Sequence, residues 1–408
     1  MLIANPNARR EPYPDDLLGI MSMHKAAESR AWLAHWRHLN HQGTPLYSLP
    51  SLDAQLGVGH VWVKDESARS VLGSFKALGA PIALVRLILR TFPARGYDAA
   101  GLLAGKYATS LADFTVISAT DGNHGRALAA AAQSIGCRCM IVLHAKVSTE
   151  REEGIAAFGA EIFRISGNYD ESVEHAAALA ASNQWRVVSD TSYDGYEEIP
   201  RDVMQGYGTM AAEIIEASTG WHGSGCAFTH IFLQGGVGGL AAGIASYFWE
   251  QYGEQRPVLI VVEPEQADCL YQSALSGKAA KATGSVDSLM AGLACGETSP
   301  LAWKFLRSSV DFFMTVQDQD AVDAMRKLAT GSPQDIPVVA GESAVAGLAG
   351  LTQIMSTPGL ASKTGINRQS KVLLISTEGA TAPNVYAELV GETATSVLAR
   401  QKEWLAAV

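Results

Sequence analysis

Between residues 114 and 190, short apolar runs alternate with longer helical stretches. Residues 114–119, 139–143, 160–165 and 185–190 have the length and apolar content of strands. Between them, the alanine-rich run from Arg126, residues 149–158 and residues 170–182 read as helices. Thr149, with Glu152 three residues on, fits a capping box. Strands joined through helices need crossover connections, so they run parallel and both sheet faces are covered. The pattern returns as strand 229–234, helix 241–250, strand 258–262 and a last strand, 372–375. A chain of 408 residues exceeds one ordinary domain. The expected fold is α/β with two domains, each a twisted, mostly parallel sheet flanked by helices.

Open parallel sheets bind ligands beyond the carboxyl ends of their strands. Polar or glycine-rich loops fall at four such ends: 120–125, 190–196, 235–239 and 376–379. Thr120-Asp121-Gly122-Asn123-His124-Gly125 runs directly into a helix, whose amino end offers free N–H groups and a positive dipole. Gly235-Gly236-Val237-Gly238-Gly239 has the composition of a phosphate cradle. It also fits a dinucleotide fingerprint: Gly236, Gly238 and Ala241 match G-x-G-x-x-A, and Glu263 ends the next strand. A nicotinamide dehydrogenase and a plain strand–helix turn therefore stay open at this point.

Lys76 separates these readings. It sits in Gly73-Ser74-Phe75-Lys76-Ala77-Leu78-Gly79, between a strand at 61–64 and an apolar run at 77–89. A buried ammonium costs several kcal/mol, by rough estimate, unless it is paired or neutralised. A desolvated lysine has a lowered pKa and forms a Schiff base with a carbonyl. A solvent-facing lysine on an amphipathic helix is the plain alternative. A phosphate cradle, such a lysine, an asparagine-bearing loop and a hydroxyl at the last strand end together describe pyridoxal phosphate chemistry. Thr377 or Ser376 supplies that hydroxyl. A neutral hydroxyl at the pyridine nitrogen suits elimination over transamination.

Composition narrows the class. Hydrophobic residues make up 48% and charged residues 18%, which suits a packed α/β protein. The net charge of −10, with no basic block, argues against nucleic acid as partner. No run reaches the roughly 18 apolar residues of a membrane span, and the first ten residues lack a signal-peptide core. A cytoplasmic enzyme acting on a small molecule is expected. Five cysteines do not make a disulfide framework, and Cys137-Arg138-Cys139 reads as strand and not as a metal site.

Ser74-Phe75-Lys76, the 120–125 loop and the 235–239 loop resemble the tryptophan synthase β-like, fold type II pyridoxal phosphate family, which includes serine and threonine dehydratases. Within it the closer resemblance is to diaminopropionate ammonia-lyases. It rests on Lys64-Asp65-Glu66-Ser67-Ala68-Arg69, Asp190-Thr191, Gly195-Tyr196-Glu197-Glu198-Ile199-Pro200, Met204-Gln205-Gly206-Tyr207-Gly208-Thr209, Met290-Ala291-Gly292-Leu293-Ala294-Cys295-Gly296-Glu297 and Thr377-Glu378-Gly379. The resemblance implies a large cofactor-anchoring domain, 1–80 plus 215–408, and a smaller one, 81–214. It also implies a homodimer and elimination of ammonia from 2,3-diaminopropionate, D or L, giving pyruvate and two ammonia.

The implied roles follow the motifs. Lys76 would hold the cofactor and remove the α-proton. Asn123 would contact the phenolic oxygen, Gly235, Gly236, Val237, Gly238 and Gly239 the phosphate, and Thr377 the pyridine nitrogen. Thr120, Gly122 and His124 would border the substrate, with Thr120 and the loop N–H groups on its carboxylate. Asp121 and Asp190 would serve the amine chemistry, Asp121 by taking the proton of the D-isomer on the face opposite Lys76. Carboxylates attract a β-ammonium leaving group, which a dehydratase expelling hydroxide does not need. Plainer roles stand beside these: Asp121 as a helix cap, Asp190 as a turn former, His124 as a loop brace. Two stretches depart from the pattern: Val71-Leu72-Gly73-Ser74, and Tyr193-Asp194 where a Trp-Glu-like pair is expected. They leave open another β-substituted amino acid, such as serine, threonine, hydroxyaspartate or an N-substituted diaminopropionate. A pairing of Cys269 with Cys295 also stays open.

Overall fold

The protein is described by a computed structural model covering residues 1–407 apart from Asp121, Asn168, His222 and Ser224, with Asp170 known for its backbone alone. Among the described residues, eleven strands form two sheets. They are β1 (Leu2–Ala4), β2 (Leu46–Ser48), β3 (His60–Asp65), β4 (Thr115–Ala119), β5 (Arg138–Leu143), β6 (Glu161–Arg164), β7 (Arg186–Val187), β8 (His230–Gln234), β9 (Val258–Pro264), β10 (Phe312–Val316) and β11 (Lys371–Ser376).

The seven-stranded sheet has the order β1-β10-β9-β8-β11-β3-β2. Its five inner strands are parallel, and β1 and β2 close the edges antiparallel. The four-stranded sheet, β6-β5-β4-β7, is parallel throughout. The period-two pleat splits each inner strand between two cores. In β8, Ile231 and Leu233 join the core shared with the small sheet, while Phe232 joins the core on the outer face. In β4, Val116 faces that shared core and Ile117 the far side of the small sheet. Helix Asn123–Ile135 buries Ala127, Ala129, Ala130, Ala131 and Ala132, and these small side chains let it pack closely against β5 and helix Ala80–Thr91.

Several elements differ from the sequence expectation. The run expected at 185–190 is a strand only at Arg186–Val187, because this edge pairs with β4 alone. The cap at helix Thr149–Ala156 is Ser148, whose Oγ accepts the Arg151 N–H at 3.3 Å, so the expected box at Thr149 is not formed. Lys76 lies not in an α-helix but in a single 3₁₀ turn, Phe75–Leu78, ahead of helix Ala80–Thr91.

That turn lies on helix Glu198–Ala217 with no space between them. A Cβ on Gly206 would meet the Leu78 carbonyl oxygen at 2.0 Å, and one on Gly79 would meet Tyr207 and Val203 at 2.7 Å. Alanine at 206 gains about 1 kcal/mol of helix propensity. Pushing a backbone carbonyl aside costs about 1–3 kcal/mol or more. Gly206→Ala is therefore expected to lower the melting temperature and to weaken cofactor retention by moving Lys76. Thermal denaturation and the cofactor content of the purified variant check this; an unchanged value for both would show that the turn is not held here.

Candidate active site

All four loops open into one cavity of about 750 Å³. Its wall includes Lys76, Thr120, Gly122, Asn123, His124 and Asp190. It also includes Gly235, Gly236, Val237, Gly238, Gly239 and Thr377. Asp121 lies outside the described residues.

The backbone aims Lys76. The Phe75 N–H donates to the Thr377 carbonyl at 3.0 Å and the Gly379 N–H to the Gly73 carbonyl at 2.9 Å. Ser74 pairs with Glu378 as an antiparallel bridge, so the lysine turn is zipped to the loop after β11. Thr377 lines the cavity, whereas Ser376, the alternative hydroxyl, is not on its wall.

The lysine side chain is 20% exposed and its Nζ donates to Asp190 Oδ2. Burial pulls the ammonium pKa down, but the Asp190 carboxylate, with Tyr207, outweighs burial and holds it above the ordinary lysine value. Burial likewise raises Asp190, and Lys76 and His124 overcome that and hold its carboxyl well below the usual range. The expectation of a lowered lysine pKa is thus corrected: the Asp190 carboxylate beside Nζ holds it up. Asp190 is more than a turn former.

His124 braces its loop. A carbonyl only accepts, so His124 Nε2–H donates to Val188 at 2.9 Å and Nδ1 is left without a proton in the neutral ring. Nδ1 lies 3.9 Å from Asp190 Oδ2. Burial holds the imidazole pKa below its ordinary value. A Cβ on Gly125 would strike Thr120 Cγ2 at 2.4 Å, so glycine lets Thr120 fold over the first turn of helix Asn123–Ile135.

The glycine loop has the backbone of a cradle. Gly236 (φ +56°) and Gly238 (φ +99°) are left-handed, and a Cβ on Gly235 would lie 2.2 Å from Glu263 Cγ. Helix Gly239–Tyr252 starts there, and its first amide groups have no intrahelical acceptor. Glu263 does not face a ribose site. It is fully buried and accepts the N–H groups of Leu270 at 2.8 Å and Tyr271 at 2.7 Å. Burial pushes its carboxyl up to about 8. The dinucleotide reading of Gly236, Gly238 and Ala241 loses its acidic partner.

The family model for pyridoxal-phosphate dependent enzymes matches residues 38–378. The chain belongs to that family. It is 36% identical over 393 residues to the diaminopropionate ammonia-lyase of Salmonella typhimurium, covering 94% of this chain and 96% of that one. The solved structure of holo diaminopropionate ammonia lyase from Escherichia coli superposes with a TM-score of 0.86, at 34% identity over 96% of both chains. The Escherichia coli enzyme in complex with an aminoacrylate-PLP azomethine reaction intermediate gives a TM-score of 0.84, at the same identity and coverage.

The family's cofactor is pyridoxal 5'-phosphate, and the residues present fit it. The cradle of left-handed glycines takes a phosphate, Lys76 stands across the same cavity, and Thr377 adds a buried hydroxyl. Cys269 and Cys295 are not joined by a disulfide; the Cys269 thiol donates to the Gly236 carbonyl at 3.4 Å.

Sequence reasoning missed four residues here. Tyr207 and Glu378 line the cavity, and Arg151, on its wall, pairs with Glu342 at 2.6 Å. Burial and the neighbouring Glu378 push Glu342 up to about 7 in spite of Arg151. Two of the four, Tyr207 and Glu378, stand inside the 204–209 and 377–379 motifs, so a local signal for them exists in the sequence.

Proposed function

We propose that this protein eliminates ammonia from 2,3-diaminopropionate, in its D form, its L form or both, giving pyruvate and a second ammonia after hydrolysis. The carrying observation is a full-length likeness to ammonia-lyases in a chain whose cavity wall bears Asp190, Asp194, Glu174, Glu297 and Glu378. A β-ammonium finds carboxylates there, which a departing hydroxide does not need.

When bound, pyridoxal phosphate supplies the electron sink for the α-carbon. The protein's residues supply the rest. Lys76 anchors the cofactor and carries the α-proton. Asp190, against Lys76 Nζ, holds and orients the amine in the cavity. Thr120 and the amide groups at the start of helix Asn123–Ile135 hold the substrate carboxylate. Gly235 to Gly239 hold the phosphate, and Thr377 meets the ring nitrogen. Asp121 is the second base, assigned by resemblance alone.

The test is direct. Pyruvate and ammonia are assayed with D- and L-2,3-diaminopropionate while the visible spectrum is followed. Two ammonia per pyruvate and a shifting band are expected. Pyruvate from serine, with neither enantiomer of diaminopropionate consumed, would move the substrate and leave the cofactor in place.

The same reading carries three attached inferences. The domain division at 1–80 plus 215–408 against 81–214 is supported by the sheets, since β4 to β7 fall within the second unit and the other strands in the first. A homodimer is inferred from family likeness, with size-exclusion chromatography as its test. A cytoplasmic location is inferred from composition; no helix among the described residues is long and apolar enough to cross a membrane.

A further inference from the structure

Glu378 follows Thr377 beyond β11 and is 4% exposed on the cavity wall. Its Oε2 accepts from Asn123 Nδ2 and, at 3.3 Å, from Thr381 Oγ1. A carboxylate accepts and does not donate, so the NH₂ end of Asn123 must face it. The flipped amide would set Oδ1 against a carboxylate oxygen. An NH₂ group has two hydrogens. One is taken by Glu378, and the other is left for an acceptor in the cavity that Asn123 lines.

Glu378 cannot easily move away. Its carbonyl accepts the Gly341 N–H at 3.0 Å, its neighbours are bonded to Gly73 and Phe75, and a Cβ on Gly341 would lie 2.9 Å from Glu378 Cγ. The backbone that carries the carboxylate is thus fixed to the turn that carries Lys76. We propose that Glu378 is a positioning residue, which locks the Asn123 amide as a hydrogen-bond donor to the phenolic oxygen of the bound cofactor. The inference rests on the assignment of Asn123 to that oxygen and is independent of which amino acid is consumed. A donor at that oxygen stabilises its anion, so losing the donor makes the cofactor hold its proton to higher pH.

The experiment is a pH titration of the visible band of the holoenzyme without substrate. It compares the unaltered protein with Glu378→Leu, Glu378→Gln, Asn123→Ala and the double variant Asn123→Ala/Glu378→Leu. Leucine removes the acceptor. The Glu378→Gln variant keeps a neutral one. The midpoint is expected to rise by about half a unit to one unit in Asn123→Ala and Glu378→Leu, and by less in Glu378→Gln. The double variant is expected to match Asn123→Ala alone. Additive shifts would mean that Glu378 acts on the cofactor directly and would overturn the inference. An unmoved midpoint in Glu378→Gln and Glu378→Leu overturns it as well. An unmoved midpoint in Asn123→Ala overturns the assignment of Asn123 beneath it. Should Glu378→Leu not fold, the Glu378→Gln variant with and without Asn123 decides the same question.

Discussion

Lys76→Ala is expected to lose turnover by about 10³-fold or more, because one substitution removes both the anchor of the cofactor and a positioned base. The visible band of the anchored cofactor should vanish with it. The fold should survive. The Lys76 and Asp190 side chains are 20% and 19% exposed, so the stranded carboxylate can take up water. Compared as cofactor-free proteins, the loss of stability is expected between the exposed and buried limits for an ion pair, about 1–3 kcal/mol. The pH sense follows from the directions of the two shifts. Asp190 lies below its ordinary value, so its share of stability is present above the usual carboxylate range and fades as pH falls through the depressed value. Lys76 lies above its ordinary value, so its share is present below the usual lysine value and fades as pH rises through the raised one. The pair is therefore formed across neutral pH. Pyruvate release, the spectrum and a melting curve check the variant together; activity within tenfold of the unaltered protein would falsify the role given to Lys76.

The strand-end loops were legible because each is a local pattern: an apolar run, then glycines and polar residues, then a helix. The parallel sheets were legible for the same reason. The partners that give the loops their chemistry are distant in the chain. Asp190 is 114 residues from Lys76, Glu378 is 255 from Asn123, and Glu342 is 191 from Arg151. No window of residues carries such a pairing, so the sequence shows the burial of Lys76 and not the distant carboxylate that reverses the direction of its pKa. The three-residue edge strands β1 and β2 and the two-residue β7 are too short for any alternation to show. Glu263 is the opposite lesson. Its position fits a local motif, and the fold spends its carboxylate on the N–H groups of Leu270 and Tyr271 instead.

The largest loss of stability is expected from Glu213→Ala. Glu213 lies on helix Glu198–Ala217 and is 9% exposed. Its Oε2 accepts from Lys64 Nζ at 2.8 Å and from Arg69 Nη2 at 2.7 Å, and its Oε1 from Arg69 Nη1 at 2.7 Å. Arg69, fully buried, is also held by Glu66 at 2.8 Å. Lys64 is the penultimate residue of β3 and Arg69 begins the approach to Lys76, so the cluster ties the cofactor turn to the helix that carries Tyr207. Removing Glu213 leaves Arg69 to Glu66 and Lys64 to the Thr44 carbonyl in a dry site, and breaking such a buried pair costs about 3–5 kcal/mol. Burial raises the Glu213 carboxyl, but Arg69 and Lys64 override it and bring it from 4.5 to about 2. A depressed carboxylate stabilises the fold above its unfolded value and loses that effect as pH falls through the folded one. The difference corresponds to about 3 kcal/mol, lost between pH 4.5 and 2. Denaturant unfolding at neutral pH and again near pH 3 is the measurement. Glu213→Ala should be much less stable at neutral pH, and its deficit should narrow in acid as the unaltered protein loses the same contribution. A deficit below about 1 kcal/mol at neutral pH would mean that water reaches the two cations and that the cluster is a surface pair in its energetics.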